Sequence, residues 1–241
     1  MQRSPREEFK TLKDVFDLFT ERSIFKLISQ GYFEGLESPI SVGKEANIFT
    51  ALTKSNEHII IKIYRVATCD FYKMYTYMHS DQRFQNLRKQ KREVIFAWAK
   101  REYRNLLKAR ECGVRVPKAI AVLNNILVME LIGSDGPSPK LKDKHPKKPN
   151  MFFDEVIKNV KKLYDAGLVH ADLSKFNILN RDEKPVFIDL SQTTTLENPN
   201  AIAYLKRDIK NVCNFFKKLK VSADEEKIIK EVVGNRVKEV M

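Results

Sequence analysis

Val169-His170-Ala171-Asp172-Leu173-Ser174-Lys175-Phe176-Asn177-Ile178-Leu179 is the stretch on which the reading of this chain turns. A carboxylate, Asp172, and an amide, Asn177, lie five positions apart in a polar loop between apolar runs. Twelve residues past Asn177, Phe187-Ile188-Asp189-Leu190-Ser191-Gln192 sets a second carboxylate directly after a β-rich run. Phosphoryl transfer needs such a set. Asp172 would orient or deprotonate the attacking hydroxyl, and the hard oxygen donors of Asn177 and Asp189 would hold Mg²⁺ against nucleotide phosphates. Taken singly, each of the three is an ordinary turn cap or strand end. Jointly, at this spacing, they read as a catalytic loop and a metal loop.

Upstream, two charges sit in apolar settings. Ile59-Ile60-Ile61-Lys62-Ile63 puts one lysine inside an otherwise apolar strand, and a buried ammonium needs a partner. In the helical run 91–112, Ile95, Trp98, Ala99, Leu106 and Leu107 form the apolar stripe, and Glu102 falls on it, at i+3 from Ala99 and i−4 from Leu106. Pairing Lys62 with Glu102 satisfies both and aims the lysine at the α/β-phosphates; either charge could instead snorkel to water. This arrangement resembles the catalytic and metal loops of the protein kinase superfamily, H-x-D-x-x-x-x-N and then a second Asp.

The phosphate-covering loop reads Ser41-Val42-Gly43-Lys44-Glu45-Ala46-Asn47. It has one glycine, so its backbone is less free to wrap phosphate than G-x-G-x-x-G, and Ser41 and Lys44 supply a hydroxyl and an ammonium instead. With D-L-S-Q in place of D-F-G, the set resembles the RIO family of atypical serine kinases over roughly residues 20–215. Within it the likeness is to the branch whose loop reads S-T-G-K-E-A, with Val42 in place of the threonine. The other major branch carries an N-terminal winged-helix domain, for which the forty residues before Ser41 are too few.

That resemblance implies an α+β, two-lobed protein-kinase-like fold that binds ATP with Mg²⁺, or Mn²⁺ as a substitute. Asp172 would be the catalytic base. Asn177 and Asp189 would hold the metal, and Asp189 is also associated with a transient aspartyl-phosphate. Ser41, Val42, Gly43, Lys44, Glu45, Ala46, Lys62 and Glu102 would serve the phosphates. Met129-Glu130-Leu131-Ile132 would be the hinge, with the Glu130 carbonyl and Ile132 amide on the adenine edge and Met129 as gatekeeper. Ser174 would contact the γ-phosphate or serve as a turn hydroxyl. His170 reads as structural. No A-P-E sequence follows Asp189, so the resemblance implies a trimmed C-lobe without the activation segment and peptide-docking helices. The substrate would be a protein serine or the chain itself, and RIO proteins are associated with maturation of the small ribosomal subunit. A small-molecule phosphotransferase of the aminoglycoside- or choline-kinase type and a nucleotide-gated RNA-binding scaffold are the competing readings.

Periodicity and punctuation divide the chain into a helical extension (1–35), an N-lobe (36–132) and a C-lobe (133–241). Helices are predicted over 5–30, stopped by Gly31, over 91–112, over 151–167 ending at Gly167, and through most of 199–241. Strands are predicted over 47–53, 58–64, 117–123, 125–132, 177–180 and 185–190. Residues 66–90 read as a mobile loop, whose Phe71, Tyr72, Tyr75 and Tyr77 would stack on RNA bases or order over the nucleotide. Residues 134–150 read as a linker.

The net charge is +13. Residues 83–118 carry twelve Lys/Arg and three acids, and 140–148 carry five Lys and Asp143, which is +9 and +4, so the remainder is neutral in total. Such concentration suits a polyanion, rRNA or a small-subunit precursor, as well as a solvated face. No apolar run approaches a membrane span. The N-terminus lacks an apolar leader core, and Cys69, Cys112 and Cys213 form no CxxC pair. The expectation is a cytoplasmic protein that does not enter membranes.

Overall fold

The structure is a computed structural model that describes residues 16–79, 81–84, 87–134 and 136–234. The chain forms two compact units. The first comprises the described residues up to Met74 with Arg88–Lys100 and Ala119–Glu130; the second comprises Tyr75–Leu87, Arg101–Lys118 and the chain from Leu131.

In the first unit, α1 (Leu18–Ser29) starts at Asp17, whose carboxylate accepts from the N–H groups of Phe19 and Thr20 at 3.0 and 2.9 Å. Such a cap is worth about 1 kcal/mol. Gly31, at φ 82°, ends it as predicted. Phe9 and Leu12 of the predicted stripe lie outside the described residues. Strands β1 (Leu36–Val42), β2 (Ala46–Leu52), β3 (His58–Tyr64), β4 (Ala119–Leu123) and β5 (Ile126–Glu130) form one antiparallel sheet in the order β1-β2-β3-β5-β4. Ile24 and Leu27 of α1 pack with Phe49, Ile59, Ile61, Ile63 and Val128 of the sheet. β1 is absent from the sequence reading. It is an edge strand, exposed at six of its seven positions, and it carries Pro39, so no apolar alternation announces it. Ser41 and Val42 are therefore strand residues, and only Gly43–Glu45 form the turn.

Residues 66–90 contain a helix, α2 (Phe71–His79), and a 3₁₀ turn (Gln82–Phe84), where the sequence suggested a loop. Asp70 accepts from the Lys73 N–H at 3.0 Å and starts the helix, and Met74 and Met78, one turn apart, are its buried positions. The aromatic residues around them mask that spacing. Helix α3 (Lys91–Glu111) follows, its first half in the first unit and its second in the second. Leu107, expected on its apolar stripe, is exposed, while Arg101, Glu102 and Asn105 are buried.

In the second unit, α4 (Pro149–Asp165), β6 (Leu168–Val169), β7 (Ile178–Arg181), β8 (Lys184–Phe187), β9 (Thr194–Thr195), α5 (Ala201–Lys218) and α6 (Glu225–Val233) follow in order. Phe152 and Phe153 of α4 pack on Phe216 of α5, with ring centroids 6.1 and 5.1 Å apart. β7 and β8 form a hairpin through Asp182 and Glu183, both at positive φ. Residues 134–150 are a linker only in composition. The N–H groups of Leu141 and Asn180 bond the carbonyls of Ile178 and Pro139 at 2.8 and 2.9 Å, which ties the segment along β7. Residues 190–200 are all that separates Asp189 from α5.

Candidate active site

The hairpin register brings Asn177 and Asp189 together. Ile178 pairs with Phe187, and one step outward the Ile188 N–H donates to the Asn177 carbonyl at 3.0 Å. The metal-loop carboxylate is the next residue. Asn177 Nδ2 donates to the Asp172 carbonyl at 2.8 Å and to Asp172 Oδ2 at 3.0 Å. With its amide nitrogen committed to Asp172, Asn177 presents Oδ1 as the amide atom for a cation. An amide oxygen and a carboxylate are a hard-oxygen donor set that fits Mg²⁺, which fills its remaining positions with water and phosphate. Asp189 stands at φ 59°, ψ 64°, an uncommon conformation for a non-glycine residue, and Ser191 Oγ donates to its Oδ1 at 2.8 Å. Ser174 Oγ accepts from the Phe176 N–H at 3.3 Å, which is the turn role.

Three residues that sequence reasoning missed hold the catalytic loop from α5. Asp208 accepts the N–H groups of Ala171 and Leu173 at 2.8 and 2.9 Å, Arg207 donates to the Ala171 carbonyl, and Asn211 Nδ2 donates to the Leu173 carbonyl at 3.3 Å. They bracket Asp172 on both sides and hold Ala171 at φ 64°. Burial pushes the Asp208 carboxyl up to about 7, against the pull of the two backbone N–H groups.

His170 is structural, as expected. Its Nε2 lies 3.1 Å from the Ile188 carbonyl, so the neutral ring that donates there ties the catalytic loop to the metal loop. Burial lowers its pKa to about 4. The folded value lies below the ordinary 6.5, so the unfolded chain binds the extra proton between those limits. The stability that depends on a neutral His170 is complete above about pH 6.5 and is lost as pH falls towards 4. Chemical denaturation of the wild type against His170→Leu should show a stability difference that shrinks by about 3 kcal/mol over that window. A difference independent of pH would refute the buried neutral ring.

In the first unit, Lys62 is 5% exposed on β3, its Nζ 5.1 Å from the Tyr64 ring centroid. Glu102, 1% exposed, belongs to the second unit. The phosphate turn closes with a 3.0 Å bond from the Gly43 N–H to the Ala46 carbonyl, and a Cβ on Gly43 would stand 3.0 Å from that oxygen. Its carbonyls are held by the segment just after β3. Arg65 Nη1 donates to the Gly43 carbonyl at 3.2 Å, the Arg65 N–H to that of Glu45 at 2.9 Å, and Thr68 Oγ1 to that of Lys44 at 2.8 Å. Met129 and Glu130 end β5, opposite Ile60 and Ile59. Ile132 belongs to the second unit, buried with Leu179 and Val186, and its carbonyl accepts from Ser138 N–H at 2.6 Å. Gly133 admits no side chain, since a Cβ would fall 1.7 Å from the Gly136 carbonyl oxygen.

Comparison with known proteins gives a consistent result. The RIO domain family model matches residues 47–228. The RIO-type serine/threonine-protein kinase Rio1 of Haloferax volcanii is 40% identical over 236 residues, 98% of this chain and 81% of that protein. Its counterpart in Methanocaldococcus jannaschii is 39% identical over 233 residues, 96% and 80% respectively. Among solved structures, the ADP/Mg²⁺-phosphoaspartate complex of the Rio2 kinase from Chaetomium thermophilum matches with a TM-score of 0.67 at 22% identity, over 88% of this chain and 66% of that one. The fold is the two-lobed α+β kinase-like fold.

Proposed function

The chain belongs to the RIO family of atypical serine/threonine-protein kinases, and on that premise we propose that it transfers the γ-phosphoryl group of ATP, with Mg²⁺ bound, during maturation of the small ribosomal subunit. The observation that carries the chemistry is the Asp172–Asn177–Asp189 constellation, in which Asn177 bonds Asp172 through its side-chain amide and Ile188, the neighbour of Asp189, through its main-chain carbonyl. Asn177 and Asp189 would hold the Mg²⁺, which would supply charge neutralisation at the nucleotide phosphates. Asp172 would orient the attacking hydroxyl and take its proton. The turn from Gly43 to Ala46, flanked by Ser41 and Val42, would cover the phosphates, and Lys62 would neutralise them. The carbonyl of Glu130 and the amide of Ile132 would read the adenine. The Chaetomium Rio2 structure contains a phosphoaspartate. In this chain Asp189 would take that role, its carboxylate oxygen bonding to the γ-phosphorus as the bond to ADP breaks.

Replacing Asp189 by asparagine should abolish the tightening of ATP by Mg²⁺ while metal-free binding persists. Titration of a fluorescent ATP analogue with and without Mg²⁺ checks this. Wild-type protein that binds equally well in both conditions would overturn the metal assignment. Mn²⁺ should substitute in the same titration.

The partner reading rests on surface charge. Part of the 83–118 run is engaged within the protein: Arg101, which is buried, and Arg83 pair with Asp81, Arg110 donates to the Val116 carbonyl and Lys91 to the Ala67 carbonyl. Lys142, Lys144, Lys147 and Lys148 are exposed. Beside Lys142, Phe176, 50% exposed, has the ammonium groups of Lys142 and Lys175 at 5.9 and 5.3 Å from its ring centroid. Cations around an exposed aromatic suit single-stranded RNA. We expect oligonucleotide affinity that falls steeply with salt and drops about 10-fold in Phe176→Ala; binding indifferent to salt would exclude this surface. No described helix is long and apolar enough to cross a membrane.

A further inference from the structure

Within the second unit, a polar network, buried except at Arg83, runs from the segment after α2 to the turn that follows Asp189. Asp81, 1% exposed, sits against two guanidinium groups. Arg83 donates to it from Nε at 2.9 and 3.1 Å and from Nη2 at 2.6 Å. Arg101, fully buried on α3, lies 3.4 Å from Oδ2 through Nε. The second arm of Arg83 donates to Asn105 Oδ1 at 3.2 Å. That bond fixes which way the Asn105 amide points. Its Nδ2 then donates to the carbonyls of both Leu190 and Thr193, each at 2.9 Å. Those carbonyls stand at the two ends of the 3₁₀ turn whose Ser191 holds the Asp189 carboxylate.

We propose that Asp81, Arg83 and Asn105 are positioning residues for the metal loop, setting the orientation of the Asp189 carboxylate without touching nucleotide or cation.

Three physical points support this. Asp189 occupies a left-handed backbone conformation, uncommon for a non-glycine residue, that persists only where its surroundings hold it. The two carbonyls after it are held by one side chain, so a single amide sets both ends of the turn. And with only residues 190–200 between Asp189 and α5, there is no long segment downstream to brace the loop. Asp81 and Arg83, some hundred positions earlier, do so through Asn105 instead. Burial alone would raise the Asp81 carboxyl, but the hydrogen bond from Arg83 and the charges of Arg83 and Arg101 outweigh it and hold the group below its ordinary value. The charged form that orients Arg83 is therefore the resident one. Groups that orient a metal ligand commonly change metal affinity 10- to 100-fold when removed.

The inference rests on the reading of Asp189 as a metal ligand, and the experiment separates the two. On the full chain, affinity for a fluorescent ATP analogue is measured without metal and across a Mg²⁺ titration for wild type, Asp189→Asn, Arg83→Lys and Asn105→Ala. Arg83 is partly exposed, so Arg83→Lys keeps the charge beside Asp81 but removes the planar fork whose Nε and Nη2 meet Asp81 while Nη1 meets Asn105. Arg83→Lys and Asn105→Ala should each raise the Mg²⁺ concentration for half-maximal tightening by about 10-fold or more, with metal-free affinity unchanged. The double variant should be no worse than Asn105→Ala. Hydrogen exchange at the Thr193 amide, bonded to the Leu190 carbonyl at 3.2 Å, should accelerate in both. A wild-type Mg²⁺ requirement in Arg83→Lys and Asn105→Ala, with Asp189→Asn defective, would overturn the inference and leave the metal reading standing. Equal losses of metal-free and metal-dependent affinity would overturn it as well. Absence of Mg²⁺ dependence in the wild type would remove the metal reading and this inference with it.

Discussion

Asp172→Ala should lower the rate of phosphoryl transfer by two to four orders of magnitude while Mg²⁺-ATP still binds. The geometry separates those two quantities. Asn177 Nδ2 makes two bonds to Asp172, and only the one at 3.0 Å goes to the carboxylate; the one at 2.8 Å goes to the main-chain carbonyl, which alanine keeps. The amide therefore stays aimed, and its oxygen remains available to the cation. The Ala171 and Leu173 N–H groups stay fixed by Asp208, so the loop does not lose its shape with the side chain. What disappears is the carboxylate proposed to orient the hydroxyl and receive its proton. Single-turnover release of phosphate and self-phosphorylation report the first quantity, and a fluorescent ATP analogue titrated with Mg²⁺ reports the second. Undiminished turnover would remove Asp172 from the role of base. A collapse of ATP affinity would show that its carboxylate belongs to the binding set instead.

Where charge interrupts an apolar pattern, the sequence discloses a buried polar position. Lys62 inside a run of isoleucines and Glu102 on the stripe of α3 are both buried. The same rule applied to α5 finds Asp208, at i+3 from Leu205 and i−4 from Val212, all buried. It was obscured because α5 is dense in Lys and Arg, so one more charge there looks like solvated surface. Asn105 and Arg101 were hidden by the same effect in the most basic stretch of the chain. Exposed or locally ambiguous elements were not legible. β1 has no alternation to read, and the spacing of Met74 and Met78 is diluted by aromatics such as Tyr77, whose ring stacks on Tyr204 at 5.8 Å. Pairings across long separations, Asp81 with Arg101 or Asp208 with Ala171, have no local signature at all, because they exist only once the chain has folded.

Asp208 is where the second large effect is expected. Asp208→Ala leaves two buried N–H groups, on Ala171 and Leu173, without their acceptor. At about 1–3 kcal/mol for each orphaned group, stability should fall by about 3 kcal/mol, or about 6–12 °C in Tm for a chain of this size. Asp208→Asn is no gentler than its shape suggests, because one of the two N–H donors then meets an NH₂ group. Both variants release Ala171 from its left-handed conformation and shift Asp172, and a displacement of about 1 Å at a reacting group costs on the order of 100-fold in rate. The pH dependence identifies the cause. A carboxyl raised to about 7 accepts both N–H groups only when ionised, so wild-type turnover should fall as pH drops through 7, an inflection missing from the weak residual activity of Asp208→Asn. Stability runs the other way. Because the folded value lies above the ordinary 3.8, the folded chain keeps a proton that the unfolded chain has lost, and this group's contribution declines as pH rises between the two values. Rate and stability measured on the same samples from pH 5 to 8 should therefore move in opposite directions in wild type relative to Asp208→Asn, and parallel changes would contradict the assignment of Asp208 as the anchor of the catalytic loop.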